Sequence, residues 1–111
     1  MAEIFKIVPR LEWEKAGAQY EGSAHDRADG FLHFSTRAQL PETLARHYAG
    51  QSDLMLVAVE AASLGAALKW AHAPKRGEDF PHLYGVLAKS AVKWTAPLTQ
   101  KPDGEFLLPP Q

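Results

Sequence analysis

The stretch Asp29-Gly30-Phe31-Leu32-His33-Phe34-Ser35-Thr36 decides how this chain is read. Asp29-Gly30 marks a turn, and Phe31–Thr36 follows as a strand. Side chains alternate faces along an extended chain, so Leu32 and Phe34 share one side while His33 and Ser35 share the other. One face suits a core and the other carries an imidazole and a hydroxyl. Both groups donate and accept hydrogen bonds, as recognition of a ribose or an amide requires. The alternative is that both are satisfied internally or face water.

Downstream, Thr36 with Gln39 three residues later fits a capping box that opens a helix. Pro41 marks a fresh start or a bend in it, and Leu40, Leu44 and Tyr48 recur at helical spacing. Gly50 is the expected stop, and His47 lies on the same face as Leu44 and Tyr48. Upstream, residues 20–30 read as a polar loop. Ile4–Val8 reads as a first strand closed by Pro9, with Phe5 and Ile7 on one face and Ile4, Lys6 and Val8 on the other. Leu11–Ala16 is a short helical patch before Gly17.

The run Leu54–Val59 is apolar on both faces, the pattern of a central strand. Ala61–Leu64 is a turn or short helix ending at Gly65, and Ala67–Ala71 a strand containing Trp70. Residues 72–81, with Pro74, Gly77, Pro81 and four charges, read as a loop. Further strands are expected over Leu83–Leu87, interrupted by Gly85, over Val92–Thr95, and over Glu105–Leu108 after a turn at Pro102-Asp103-Gly104, with a frayed tail at Pro109-Pro110. Strands without regular strand–helix alternation predict an α+β fold. One domain over residues 1–111 is expected, with a core from about 4 to 98 and a strand or tail over 99–111.

Composition narrows the function. The 111 residues are 46% apolar and 23% charged, ordinary for a globular protein. A net charge of −1 gives no signal for DNA or for an anionic membrane. The absence of cysteine excludes disulfides, thiolate metal ligands and a cysteine nucleophile. With no signal peptide and no long apolar run, a cytoplasmic location is expected. Nothing in the sequence fixes the oligomeric state.

A second polar cluster, Asp79-Phe80-Pro81-His82-Leu83-Tyr84-Gly85, reads as a pocket lip or as a loop anchored by Phe80 and Tyr84. His82 and Tyr84 are expected on one side of it. The segment Glu21–Asp29 offers His25, Asp26 and Asp29, but no paired-histidine metal motif is present, so no metal site is expected. Ser35 is not in a nucleophile elbow, and no Gly-rich phosphate loop occurs. His47 reads as a histidine at the core edge and His72 as exposed.

Taken together, Ile4-Phe5-Lys6-Ile7 with Trp13, Tyr20-Glu21-Gly22-Ser23, the Asp29–Thr36 stretch, Pro41-Glu42-Thr43 with Arg46-His47-Tyr48, and Phe80–Gly85 resemble the domain-of-unknown-function 952 family of small bacterial proteins. The resemblance spans roughly residues 4–98. It implies a layout like the ADP-ribosyltransferase fold, a split antiparallel or mixed sheet with a few short helices. In such proteins a first-strand histidine or arginine binds NAD, a second strand ending in Ser/Thr lines the nicotinamide pocket, and a late strand or the loop before it often supplies a glutamate.

Carried over, the resemblance makes His33, Ser35 and Thr36 pocket residues and puts Lys6 at the first-strand position. Leu83–Leu87, the late strand, has no glutamate, which leaves His82 and Tyr84 as its polar candidates. The resulting expectation is a cleft that binds a nucleotide or NAD-related small molecule, with Ser35, Thr36, Tyr84 and Lys6 as binding residues. Turnover is the alternative, with His33 or His82 as acid or base. A structural protein whose polar strand is only a hydrogen-bond network is the third reading.

Overall fold

The computed structural model describes residues 2–109 and shows an α+β architecture. Its elements in order are β1 (Glu3–Pro9), α1 (Arg10–Lys15), β2 (Gln19–Tyr20), α2 (Ala24–Asp29), β3 (Leu32–His33), α3 (Leu40–His47), β4 (Leu54–Glu60), β5 (Leu68–Ala73), β6 (Glu78–Leu83), β7 (Leu87–Ala88), β8 (Val92–Gln100) and β9 (Phe106–Leu107). Ala61–Ala67 and Lys89–Ala91 form 3₁₀ turns. Pro110 of the expected tail lies outside the described residues.

A four-stranded antiparallel sheet runs β1-β4-β8-β9, a three-stranded one runs β3-β6-β5, and β2 pairs with β7. The apolar run 54–59 forms most of β4, between β1 and β8 and buried on both faces. The alternation in β1 divides the core as expected. Ile4 and Val8 pack with Trp13, Leu32, Leu83 and Leu87 on one side of the sheet, and Phe5 and Ile7 with Leu40, Leu44 and Leu98 on the other.

The stretch 31–36 is where the two sheets part. Leu32 and His33 pair with Leu83 and His82 of β6, and the Phe34 amide donates to the Pro81 carbonyl. One residue on, Ser35 has crossed to β1, where it exchanges two 2.8 Å backbone bonds with Phe5. The expected strand is therefore divided between two partners. The reciprocal Thr36/Gln39 capping bonds form, and helix α3 follows with Leu40 and Leu44 buried.

Three expectations are corrected. Residues 20–30 are not a loop: β2 opens them, and α2 follows with a capping box between Ser23 and Asp26. Gly30 ends that helix at φ 86°, a left-handed conformation that favours glycine. Residues 72–81 are not a loop either, because β5 and β6 form a hairpin through them, closed by bonds from the Arg76 and Gly77 amides to the Ala73 carbonyl. Pro81 sits inside β6, the middle strand of its sheet, where its missing N–H argued against a strand. Leu83–Leu87 is not one strand: β6 ends at Leu83, and β7 begins at Leu87 to pair with β2. β5 and β8 are longer than expected, whereas β9 is shorter.

Candidate functional site

Between the sheets and α3 lies an open cleft of about 630 Å³. Its floor and walls include Phe5 and Ile7 of β1, His33 and Ser35 of the crossing segment, Thr43, His47 and Tyr48 of α3 and its end, Arg76 of the hairpin turn, and Phe80 and His82 of β6. His33 and His82 meet there because they are register partners, which puts both on the face opposite the buried pair Leu32 and Leu83.

The His33 ring is bound from below and beside. Its Nδ1 is 2.5 Å from Asp26 Oδ1 and its Nε2 is 2.9 Å from Asp29 Oδ2. Asp26 is 2% exposed and also accepts from the backbone amides of His33 and Ser23. Its second oxygen lies 2.8 Å from Lys6 Nζ, itself 4% exposed, and Lys6 donates to the His33 carbonyl at 3.0 Å. Burial alone would raise the Asp26 pKa; the bonds from His33 and the Lys6 ammonium outweigh it and hold the carboxyl far below its ordinary value. For Lys6 burial wins, and its pKa falls despite Asp26. A buried ion pair thus carries the histidine of the cleft.

The opposite wall is cationic. The Arg76 side chain is 7% exposed, stacks over Phe80 with its guanidinium 4.5 Å from the ring centre, and donates to Thr43 Oγ1 at 3.1 Å. Thr43 Oγ1 is 3.3 Å from Ser35 Oγ. Glu42 is shared between Arg76 at 2.9 Å and Arg46 at 2.6 Å, so one carboxylate faces two guanidinium groups. Burial and then the nearby Arg76 lower the His47 pKa, and burial and then His33 lower that of His82. Burial pushes the Tyr48 phenol up to about 12.

The family described as "Protein of unknown function (DUF952)" matches residues 7–95. This chain belongs to that family. A crystal structure of protein CC0527 from Caulobacter crescentus is 46% identical and superposes with a TM-score of 0.89, over 95% of this chain and 93% of that one. A solution NMR structure of CC0527 is 47% identical with a TM-score of 0.82, over 94% and 90%. No curated protein matches the chain significantly. These descriptions assign no activity or ligand, and they do not bear on the likeness to ADP-ribosyltransferases.

Of the residues singled out by sequence, His33, Ser35 and His82 come together in the cleft lining. Thr36, Tyr84 and Lys6 do not line it. Thr36 closes the turn before α3 through its bonds with Gln39, and Lys6 is spent beneath the cleft on Asp26. Tyr84 is 46% exposed and touches Phe31 rather than the cleft. Phe31 also stacks on His82, with ring centres 3.9 Å apart.

Arg76 is not singled out by sequence, and Asp26 is named there only among the polar residues of Glu21–Asp29, not as the partner of Lys6 and His33. Both lay in segments read as loops, although the Ser23-x-x-Asp26 spacing was a usable helix signal. The sequence reading also missed Glu12, a cleft residue on α1 that accepts a hydrogen bond from the Tyr20 hydroxyl. Among the described residues, His25, Asp29 and His33 present donor atoms within 4.8 Å of one another. No described helix is long and apolar enough to cross a membrane.

Proposed function

We propose that the cleft binds a small anionic molecule of the nucleotide or NAD-related class. The observation that carries this reading is Arg76, a buried guanidinium on the cleft wall whose neighbours Thr43 and Ser35 add hydroxyl donors. A buried arginine beside hydroxyls suits a phosphate, which it meets with charge-assisted bonds. The two-guanidinium, one-carboxylate arrangement at Glu42 leaves positive charge in excess at that rim. The cleft volume lies within the usual range for small-molecule sites, and Phe80 and His82 bring aromatic rings to its lining.

Turnover of the ligand is the second reading, favoured by His33. His33, its Nδ1 held by buried Asp26, transfers a proton through Nε2 once the exposed Asp29 carboxylate, 2.9 Å from that nitrogen, gives way. Ligand-observed NMR and calorimetry with AMP, ADP, ADP-ribose, NAD and inorganic phosphate test the binding reading. Binding is expected for at least one nucleotide, weakened tenfold or more by Arg76→Gln and by Thr43→Val in folded protein. No binding by any of them, or equal binding by both variants, overturns it. Product analysis on the bound ligand, with His33→Gln and His82→Gln beside the wild type, then tests turnover.

A further inference from the structure

We propose that His25, Asp29 and His33 form a site for one divalent first-row cation of the zinc class at the edge of the cleft. His25 and Asp29 are one turn apart on α2, and His33 on β3 lies against that turn. Asp29 Oδ2 is 2.9 Å from His33 Nε2 and 3.6 Å from His25 Nε2. Ligand atoms around a tetrahedral zinc, with bonds of about 2.0–2.1 Å, stand roughly 3.3 Å apart, and the two separations bracket that value. The set of two imidazoles and one carboxylate suits Zn²⁺, Co²⁺ or Fe²⁺ and disfavours Mg²⁺ or Ca²⁺, which take oxygen ligands.

A second observation supports the site independently of the cluster. His33 Nδ1 faces Asp26, a carboxylate buried and fixed by Lys6 and the Ser23 amide. Metal-bound histidines use their other ring nitrogen in this way, because the outer carboxylate fixes the tautomer and leaves the Nε2 lone pair for the cation. Nε2 lies 2.9 Å from Asp29 Oδ2, within hydrogen-bond distance, and a cation held by both atoms takes the place of the proton that Nε2 donates there. His25 is 73% exposed and stacked on His33, with ring centres 4.6 Å apart, so its ring is free to swing into the coordination shell.

His25 and His33 both line the cleft, which leaves further coordination positions of the cation facing it. A cation here takes the Nε2 lone pair that acid–base use of His33 needs, so the two roles exclude each other at any moment. The metal site does not depend on the nucleotide reading, since the cation alone is the probe.

The test uses untagged full-length protein, stripped with chelator and titrated with ZnCl₂ by calorimetry and native mass spectrometry. One equivalent is expected. Zinc should shift the ring nitrogens of His25 and His33 in NMR, and Co²⁺ should give the visible bands of a low-coordinate site. His25→Ala and Asp29→Asn, both at exposed positions, should abolish binding or weaken it tenfold or more. Asp26→Asn should weaken it 10–100-fold without removing a ligand. His72→Ala, in the separate exposed pair with Asp79, should leave it unchanged. Absence of zinc binding by the wild type overturns the proposal. So does undiminished binding by folded His25→Ala and Asp29→Asn.

Discussion

His33 and His82 stand directly opposite each other across β3 and β6, their ring centres 5.8 Å apart and their planes at 65°. Phe31 touches both rings. Burial in this wall and the neighbouring His33 disfavour a positive charge on His82, so protonation of His82 is linked to folding.

That linkage has a definite sign. The His82 pKa is lowered in the fold, by burial and then by His33, so the unfolded chain binds more protons as pH falls through about 6.5. The folded protein should therefore lose stability as pH falls through that value, a loss that levels off only below the lowered pKa of the folded state. Urea unfolding in the presence of chelator at several pH values measures the slope. His82→Gln, which does not titrate, should reduce it to the share left by His47, whose pKa is lowered too; an unchanged slope in that variant would refute the assignment.

The Lys6–Asp26 pair gives a second prediction. Lys6→Met leaves a buried carboxylate without its ammonium and should cost about 3–5 kcal/mol. Lys6→Met combined with Asp26→Leu removes both charges, so its loss should fall well short of the sum of the single losses. Denaturant midpoints for the three variants and wild type complete the cycle. Additive losses would mean that the two charges do not interact.

Gly22 is a third point of sensitivity. Its φ is 104°, and a Cβ there would lie 2.5 Å from Leu32 Cδ2 and 2.9 Å from Asp26 Cβ. Backbone strain and overpacking together put the expected loss for Gly22→Ala at about 2–4 kcal/mol. The displaced Asp26 should also shift the ring resonances of His33. A variant as stable as wild type, with unshifted His33 signals, would show that α2 yields freely.

Much of this fold was legible from residue pattern. The double-sided apolar run 54–59 and the alternation in Ile4–Val8 mark the two strands that build the core, because burial there follows from side-chain period alone. β6 was hidden: Pro81 and the charges Glu78 and Asp79 make it look like a loop, while its place is secured by pairing with β3 and β5, which are distant in sequence. Lys6 illustrates the same limit at the site. A lysine on an apolar face reads as an anomaly until α2, some twenty residues on, delivers Asp26 to it. His33, Ser35 and His82 could be found because strand alternation places them, whereas Arg76 reaches the cleft only through a hairpin turn.

The Phe5–Ser35 bridge bears on how the cleft can change width. The two sheets exchange backbone hydrogen bonds there through one residue pair, with Lys6 adding its side-chain tie to the His33 carbonyl beside it. Tilting one sheet against the other would strain this bond pair and the core shared by Ile4, Val8, Leu32 and Leu83 while leaving each ladder intact. Deuterium uptake at the Phe5 and Ser35 amides, compared with that of the β4 interior, is the natural gauge of this breathing.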